Sequence, residues 1–188
     1  LNDFDIYPEF DIVFQPLEGK KIQTVLEDKH LTVKAFPLRH RIPSFGFLFR
    51  EKEELRKIVR EMIVKHNIPV SKIPGINKGE DFVKDDGTVI RNEDLTIPPP
   101  KPRTYAYCSD TSYFSRLPSY LKEVDVLYHE ATFGDDHDGL APVTGHSTAS
   151  EAARVAVAAG VKTLLIGHFS SRYKDAGVLL EQARKIFP

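Results

Sequence analysis

Cysteine is almost absent from this chain of 188 residues, in which Cys108 stands alone. A single thiol excludes an internal disulfide, so a reducing compartment, the cytoplasm, is the expected location. The sequence also lacks an apolar run of the roughly 20 residues that a membrane-spanning helix needs, and no charged-then-apolar signal segment opens it. We therefore expect no association with a membrane.

An excess of positive charge is lacking as well. The 26 lysines and arginines are balanced by 27 aspartates and glutamates, which leaves a net charge of −1. This balance excludes the uniformly basic surface of many small nucleic-acid-binding domains, so any contact with a nucleic acid must come from local patches. With 41% hydrophobic residues, the composition is that of one globular domain with a substantial core.

Short apolar runs separated by turns predict β-strands in the first part of the chain. These strands are Ile12–Phe14, Ile22–Leu26 and Leu31–Phe36. A helix is predicted next, from Lys52 to about His66, because apolar residues recur there at the helical spacing of three and four. They are Leu55, Ile58, Val59, Met62 and Ile63.

Prolines dominate the following stretch, from Ile68 to Pro102, and exclude long regular elements there. Within it, Phe82–Ile90 is centred on Asp86-Gly87, which is typical of a small β-hairpin. We expect this stretch to be an extended excursion from the domain.

The last third of the chain has the pattern of a layered α/β domain. Runs of apolar, β-branched and aromatic residues predict central strands there. These runs are Thr104–Cys108, Val124–Tyr128 and Val161–Ile166. The helix expected between the last two, Ala149–Ala159, has the capping-box spacing from Thr148 to Glu151 and a terminal Gly160. A final helix is predicted at Ala176–Ile186.

Three predicted strands are followed closely by residues that can bind a metal ion. These residues are His40, Asp110 and His168, and strand ends are where layered α/β folds gather functional groups. Imidazole nitrogens and a carboxylate oxygen suit zinc. Each residue alone also fits an ordinary structural role, as a core histidine or a turn-capping aspartate. The metal hypothesis therefore depends on whether the three converge.

Five short motifs occur in a fixed order along the chain. They are FPLRHRIPSFGF from Phe36 to Phe47, Ser109-Asp110-Thr111, HEATF from His129 to Phe133, His146-Ser147-Thr148, and GHFSSRY from Gly167 to Tyr173. In this set and order they make the chain resemble the ribonuclease Z family, from about Leu31 to Pro188.

The resemblance implies an α/β fold, the αββα sandwich of the metallo-β-lactamase superfamily, of which residues 1–188 are expected to be the C-terminal part only. It implies two zinc ions per intact chain, with His40 as a ligand of one, His168 as a ligand of the other and Asp110 as the bridging carboxylate. The family takes its remaining ligands from an upstream His-x-His-x-Asp-His motif, which this chain lacks. We therefore expect those ligands upstream of Leu1 and an inactive fragment; a naturally truncated, inactive relative is the alternative.

Further residues match family positions near the reaction. Glu130 and His146 match positions tied to catalysis, where the carboxylate would orient the imidazole or transfer protons through it. The alternatives are a buried hydrogen-bond acceptor at Glu130 and a flexible loop residue at His146. His129 is assigned either a structural role or a role in supporting the metal ligands. Arg172 is a candidate phosphate contact because a guanidinium matches phosphate oxygens, with a surface ion pair as the alternative.

Family members insert an arm that grips tRNA between the positions matching His40 and Asp110, and residues 50–102 occupy this interval. From Arg50 to Lys84 there are nine lysines and arginines against six acidic residues, a local excess that suits phosphate contact. Arg56, Lys57 and Arg60 are expected to lie away from the apolar stripe of the helix and to bind substrate. A solvated charged face is the alternative.

Together these resemblances imply a zinc-dependent endoribonuclease that removes the 3′ trailer of precursor tRNA by phosphodiester hydrolysis and acts as a homodimer. Two rival hypotheses remain open at this point. One is a related phosphodiesterase with another substrate, and the other is a non-catalytic RNA-binding remnant without a metal site.

Overall fold

A computed structural model describes residues 10–11, 13–19 and 21–188 of the chain. The strands in chain order are β1 (Gln23–Glu27), β2 (Leu31–Pro37), β3 (Phe45–Glu51), β4 (Lys57–Ile58), β5 (Phe82–Val83), β6 (Val89–Ile90), β7 (Thr96–Ile97), β8 (Thr104–Cys108), β9 (Val126–Glu130) and β10 (Thr163–Gly167). The helices are α1 (Arg60–His66), α2 (Ile73–Asn77), α3 (Asn92–Leu95), α4 (Leu117–Tyr120), α5 (Ala141–Thr144), α6 (Ala149–Ala159) and α7 (Gly177–Arg184), with 3₁₀ turns at Val70–Lys72 and Asp135–His137.

Six strands form one mixed sheet in the order β1-β2-β3-β8-β9-β10. The pairs from β1 to β8 are antiparallel, whereas β8, β9 and β10 are parallel to one another. Because β3 is antiparallel to both of its neighbours, β2, β8, β9 and β10 all run in the same direction. Their carboxyl ends therefore lie at one edge of the sheet, where side chains from four separate parts of the sequence can meet.

Helix α6 is confirmed with its predicted bounds, Ala149–Ala159. The Thr148 side chain accepts a hydrogen bond from the Glu151 backbone N–H, and the Glu151 carboxylate accepts one from the Thr148 N–H, so the capping box is complete. Gly160 ends the helix in the left-handed conformation that the terminal glycine favours. The helix buries its small apolar side against the sheet, in the main core cluster of the domain.

The two faces of the sheet differ in how well they are covered. On one face Ala106 and Leu127 are fully buried beneath α4 and α6. On the other face Phe47, Tyr107 and Tyr128 lie side by side in register, and the rings of Tyr107 and Tyr128 stack with centroids 4.9 Å apart. Tyr107 keeps 38% of its surface exposed, so within the described residues this aromatic face is open to solvent.

Between β3 and β8, the interval for which an arm is predicted, the chain forms a separate lobe. It has a small apolar core made of Ile68, Ile76, Phe82 and Leu95. The predicted hairpin is confirmed, with Phe82 opposite Ile90, and the other elements are short, as the prolines indicated. The lobe therefore packs mainly on itself, through an apolar cluster separate from those of the main domain.

The long helix predicted from Lys52 to about His66 is wrong in its first half. Lys57 and Ile58 instead form β4, paired with Thr96 and Ile97, and helix α1 spans only Arg60–His66. The apolar residues do have helical spacing, but the backbone of 57–58 is hydrogen-bonded to a strand that is distant in the sequence. This tertiary contact overrides the local periodicity. Leu55 is consequently 61% exposed and is not part of the buried stripe.

The remaining strand and helix predictions are mostly confirmed within one to three residues. Of the predicted strand Ile12–Phe14, Ile12 lies outside the described residues, and Val13 and Phe14 have no regular structure. Strand β3 and the short helices α4 and α5 were not predicted. The final helix is shorter at both ends than Ala176–Ile186.

The single cysteine, Cys108, is fully buried, and burial raises the pKa of its thiol. It is therefore a small apolar core residue and not a nucleophile. Among the described helices, none combines the length and apolar character that crossing a bilayer requires.

Asp125 links the amino ends of β8 and β9. Its carboxylate accepts hydrogen bonds from the Thr104 N–H at 2.6 Å and from the Thr104 hydroxyl at 2.8 Å, and it pairs with Lys162. The Lys162 ammonium first, and then Thr104, lower the pKa of Asp125 to about 2. Because the pKa is lower in the folded state than in the unfolded one, this carboxylate stabilises the fold above the unfolded pKa and ceases to do so as the pH falls towards 2.

Asp125→Asn is expected to reduce the free energy of unfolding by roughly 1–3 kcal/mol at pH 7, because hydrogen bonds to a charged group are lost. The difference in the free energy of unfolding between Asp125→Asn and wild type should shrink as the pH falls from about 4 to about 2. Urea denaturation at several pH values measures this. Asp85→Asn, at an exposed aspartate of the hairpin turn, is the control and should cost little. A difference that is the same at every pH would contradict this explanation.

Candidate metal centre

The residues predicted to bind metal do converge. His40 follows β2, Asp110 follows β8 and His168 follows β10, all at the shared carboxyl edge. The His168 Nε2 lies 3.4 Å from an Asp110 carboxylate oxygen. His146 joins them, since ligand atoms of His40, Asp110 and His146 all lie within 4.8 Å of one another. Four side chains from four segments therefore form one cluster.

Hydrogen bonds determine which nitrogen each histidine of the cluster can offer. The Nδ1–H of His40 donates to the Gly145 carbonyl at 2.8 Å, and that of His146 donates to a Glu130 carboxylate oxygen at 2.8 Å. The His168 Nδ1–H donates to the Thr132 hydroxyl at 2.9 Å, because that hydroxyl gives its own proton to Glu130. With Nδ1 protonated, each imidazole offers Nε2 as its second nitrogen, and in His40 and His168 this is the atom that a metal would use.

Gly145 is required where it stands. Its φ of 86° is in the left-handed region, where other residues are strained. A Cβ at this position would lie 2.5 Å from the His40 Nδ1. The glycine therefore lets the backbone carbonyl approach His40 closely enough to accept its proton.

The backbone is strained at two residues of the cluster. Asp110 has a φ of 56° and His168 a φ of 61°, both left-handed. Non-glycine residues adopt this conformation uncommonly, and it is tolerated only where the surrounding structure enforces it. Each of these residues lies just past its strand, so the left-handed turn directs its side chain into the cluster.

Glu130 is completely buried beside the cluster, and its carboxylate accepts five hydrogen bonds. One oxygen accepts from the Thr111 N–H and from His146, and the other accepts from the N–H groups of Thr132 and Ser147 and from the Thr132 hydroxyl. A carboxylate has about four lone-pair sites, so this one has none left for a metal. Of the two interpretations of Glu130, the geometry favours the buried acceptor that positions other groups.

His146 lies on a well-anchored segment. The Ser147 hydroxyl donates to the Thr111 carbonyl at 2.6 Å, and Thr148 then begins α6. The side chain of His146 is only 15% exposed, and its Nδ1 is bound to Glu130. The interpretation of His146 as a flexible loop residue is therefore not supported.

His129 is fully buried, and burial lowers its pKa. Its Nδ1–H donates to the Glu130 backbone carbonyl at 2.7 Å, while its Nε2 has no partner among the described residues. A neutral imidazole in the core agrees with the structural role expected for it.

The arginines and lysine predicted to bind substrate lie outside the metal cluster. The Arg172 guanidinium lies 5.9 Å from the centre of the Phe133 ring and has no carboxylate partner among the described residues. On the arm, Arg56 donates to the Thr96 hydroxyl at 2.7 Å, and Lys57 and Arg60 are exposed. Arg56 and Lys57 precede α1, so the three do not lie on one helix as expected.

The donor set of the cluster fits zinc, because imidazole nitrogens and a carboxylate oxygen are the ligands that this ion takes in proteins. It also falls short of two complete sites, since four groups cannot supply four ligands to each of two ions. The cluster therefore has the chemistry of a metal centre and part of its ligands.

Comparison with known proteins agrees with this geometry. No family model matches the chain. Among solved structures, it is similar to the metallo-β-lactamase fold protein YhfI from Bacillus subtilis, with a TM-score of 0.55 and 19% identity over 94% of this chain and 49% of that one. The fold is that of the metallo-β-lactamase fold proteins.

Relatives define the family within this class. Over 95% of the present chain, the sequence is 46% identical to ribonuclease Z of Phocaeicola vulgatus. Over 100% of the present chain, it is 43% identical to ribonuclease Z of Bacteroides fragilis. It belongs to the ribonuclease Z family. It spans 58% and 62% of the length of these two relatives.

Proposed function

We propose that this chain is the C-terminal part of a zinc-dependent endoribonuclease that removes the 3′ trailer of precursor tRNA. The observation that carries the proposal is the convergence of His40, Asp110 and His168, whose Nε2 atoms and carboxylate are free for a metal, with His146 beside them. The intact protein would hold two zinc ions, with the ligands missing here supplied by residues outside this chain. These 188 residues alone are then expected to be inactive, because incomplete sites hold metal poorly.

The residues have distinct roles in this proposal. His40 and His168 would each hold one ion, and Asp110, with two carboxylate oxygens, would bridge them. When bound, two zinc ions would supply activation of water and stabilisation of negative charge on the attacked phosphate. Glu130 fixes the orientation of His146 through Nδ1, so that in its protonated form His146 would give its Nε2 proton to the 3′ oxygen as the phosphorus–oxygen bond breaks.

Substrate recognition is proposed for the arm, residues 50–102, and for Arg172. Lys57 and Arg60 are exposed, and Arg56 is exposed in part. The charge argument is weaker for the whole arm than for its first part, because 50–102 contains eleven lysines and arginines against ten acidic residues. The contact with tRNA is therefore assigned to the surface around α1. From the same family resemblance we propose a homodimer in the cytoplasm.

Removal of the arm tests the proposed substrate. Residues 53–101 can be replaced by a short glycine-serine turn, because the Glu51 N–H donates to the Arg103 carbonyl and β3 and β8 are already paired. In the full-length protein, this deletion is expected to reduce kcat/KM for precursor tRNA roughly 100-fold or more, since remote binding energy is lost. Hydrolysis of bis(p-nitrophenyl) phosphate should change little.

Lys57→Gln with Arg60→Gln is the matched variant that keeps the arm folded and should show a smaller loss on precursor tRNA. Equal loss on both substrates after the deletion would mean that the arm supports the fold and does not bind RNA. A full-length protein that hydrolyses the small diester but not precursor tRNA would favour the rival phosphodiesterase.

A further inference from the structure

A cleft adjoins the metal cluster on the side of His40. Its volume is 740 Å³, and it is lined by the loop from Pro37 to Phe45 that joins β2 to β3. Phe114 and Arg116, which precede α4, and Tyr120, the last residue of α4, line it as well. Because His40 itself lines this cleft, a molecule bound there would touch the groups that surround the scissile phosphate.

The cleft has a cationic rim. Among the described residues, Arg39, Arg41 and Arg116 line it, against one carboxylate, that of Glu18. In a chain with a net charge of −1, this is a marked local excess. Within the described part of the chain, none of the three guanidinium groups lies within 4.0 Å of a carboxylate. They are therefore available to an anionic ligand.

The lining of the cleft also offers flat aromatic surfaces. Phe45, Phe114 and Tyr120 line it, and the Arg116 guanidinium lies 5.8 Å from the centre of the Tyr120 ring. Aromatic rings and arginine planes are the surfaces on which unpaired bases stack, and arginines contact the phosphates between them. The volume is in the range of roughly 300–1,000 Å³ that holds small ligands, which suits one or two nucleotides and excludes a duplex.

We infer that this cleft binds the single-stranded RNA next to the cleavage point, with phosphate contacts from Arg39, Arg41 and Arg116 and a base stacked at Tyr120. The inference rests on the proposed function for the identity of the RNA. It adds a second RNA-binding surface, separate from the arm and directly beside the metal cluster.

Binding of a short single-stranded RNA that lacks a tRNA body tests this inference independently of cleavage. In the full-length protein, Arg39→Gln, Arg41→Gln and Arg116→Gln together are expected to raise the dissociation constant roughly tenfold to hundredfold. The slope of log Kd against log salt concentration should fall by about 2, since each phosphate contact contributes roughly 0.7. Fluorescence anisotropy over a salt series measures both quantities.

Two variants make the result specific. Lys34→Gln, Lys122→Gln and Arg154→Gln together remove equal charge from exposed sites outside the cleft and the arm and should leave the slope close to that of wild type. Arg39→Lys, Arg41→Lys and Arg116→Lys together keep the charge and should restore most of the slope. A cleft triple variant that stays folded by circular dichroism but binds RNA like wild type overturns the inference.

The outcome also separates this inference from the proposed function. Suppose that wild type does not cleave precursor tRNA, and that the cleft triple variant loses binding of the short RNA whereas the control triple variant keeps it. The proposed function is then wrong, but the cleft is still an RNA-binding site. If wild type cleaves precursor tRNA and the control triple variant loses as much RNA binding as the cleft variant, the cleft has no special role and the inference fails.

Discussion

Asp110→Asn in the full-length protein is expected to reduce kcat/KM for precursor tRNA by roughly 1,000-fold or more, since metal-assisted stabilisation amounts to several kcal/mol and each 1.36 kcal/mol is a factor of ten. Asp110 is the only carboxylate of the cluster with unoccupied lone pairs, because those of Glu130 are saturated. The amide replaces one oxygen by a donor and removes the negative charge. Both changes weaken the bridging that we propose.

The fold should survive this substitution. Asparagine has the same shape as aspartate and tolerates the left-handed conformation, with a φ of 56°, that Asp110 adopts. The loss of activity can therefore be assigned to the site and not to unfolding, provided that the melting temperature stays close to that of wild type.

Zinc content, measured by mass spectrometry of the purified protein, should fall together with activity. Asp138→Asn, at an exposed aspartate, is the matched control and should retain both. Full activity of Asp110→Asn would remove Asp110 from the proposed site. A wild-type protein that contains no zinc would favour the RNA-binding remnant over the enzyme.

The convergence of His40, Asp110 and His168 could be predicted in part from the sequence. Each follows an apolar run of strand length, which is a local signal, and parallel strands place their carboxyl ends at one edge. Helix α6 was predictable from local signals as well, since a capping box and a terminal glycine lie within twelve residues of one another. Local signals therefore indicated where these three side chains and the helix after His146 lie, and their binding of a metal stays a prediction.

What could not be predicted depends on contacts between distant residues. The donors to Glu130 come from Thr111, Thr132, His146 and Ser147, and no spacing in the sequence indicates that they surround one carboxylate. The same holds for Lys57-Ile58, whose pairing with Thr96-Ile97 converts a helical pattern into a strand. The arginine-lined cleft is a third case, because Arg116 joins Arg39 and Arg41 only through the fold.

The five hydrogen bonds of Glu130 lead to the second large effect. Glu130→Gln is expected to lower the free energy of unfolding by roughly 3–5 kcal/mol, the cost of breaking a buried charged interaction by removing one partner. One carboxylate oxygen accepts two hydrogen bonds and the other accepts three. Whichever of the two oxygens is replaced by the amide nitrogen, at least two hydrogen-bond donors therefore lose their acceptor and face an N–H group. Urea denaturation at neutral pH measures the loss. Glu151→Gln, which alters only the capping box of α6, should cost about 1 kcal/mol.

The loss of stability and the loss of the metal site should occur together, because Glu130 supports each side of the cluster. It binds His146 directly, it holds the Thr132 hydroxyl that orients His168, and it accepts from the N–H of Thr111, next to Asp110. Glu130→Gln should therefore bind less zinc than Glu151→Gln when the two variants are compared at urea concentrations that leave the same fraction of each folded. If Glu130→Gln is no less stable than Glu151→Gln and keeps its zinc, Glu130 does not organise the site, and a direct role in proton transfer becomes the better explanation of its position.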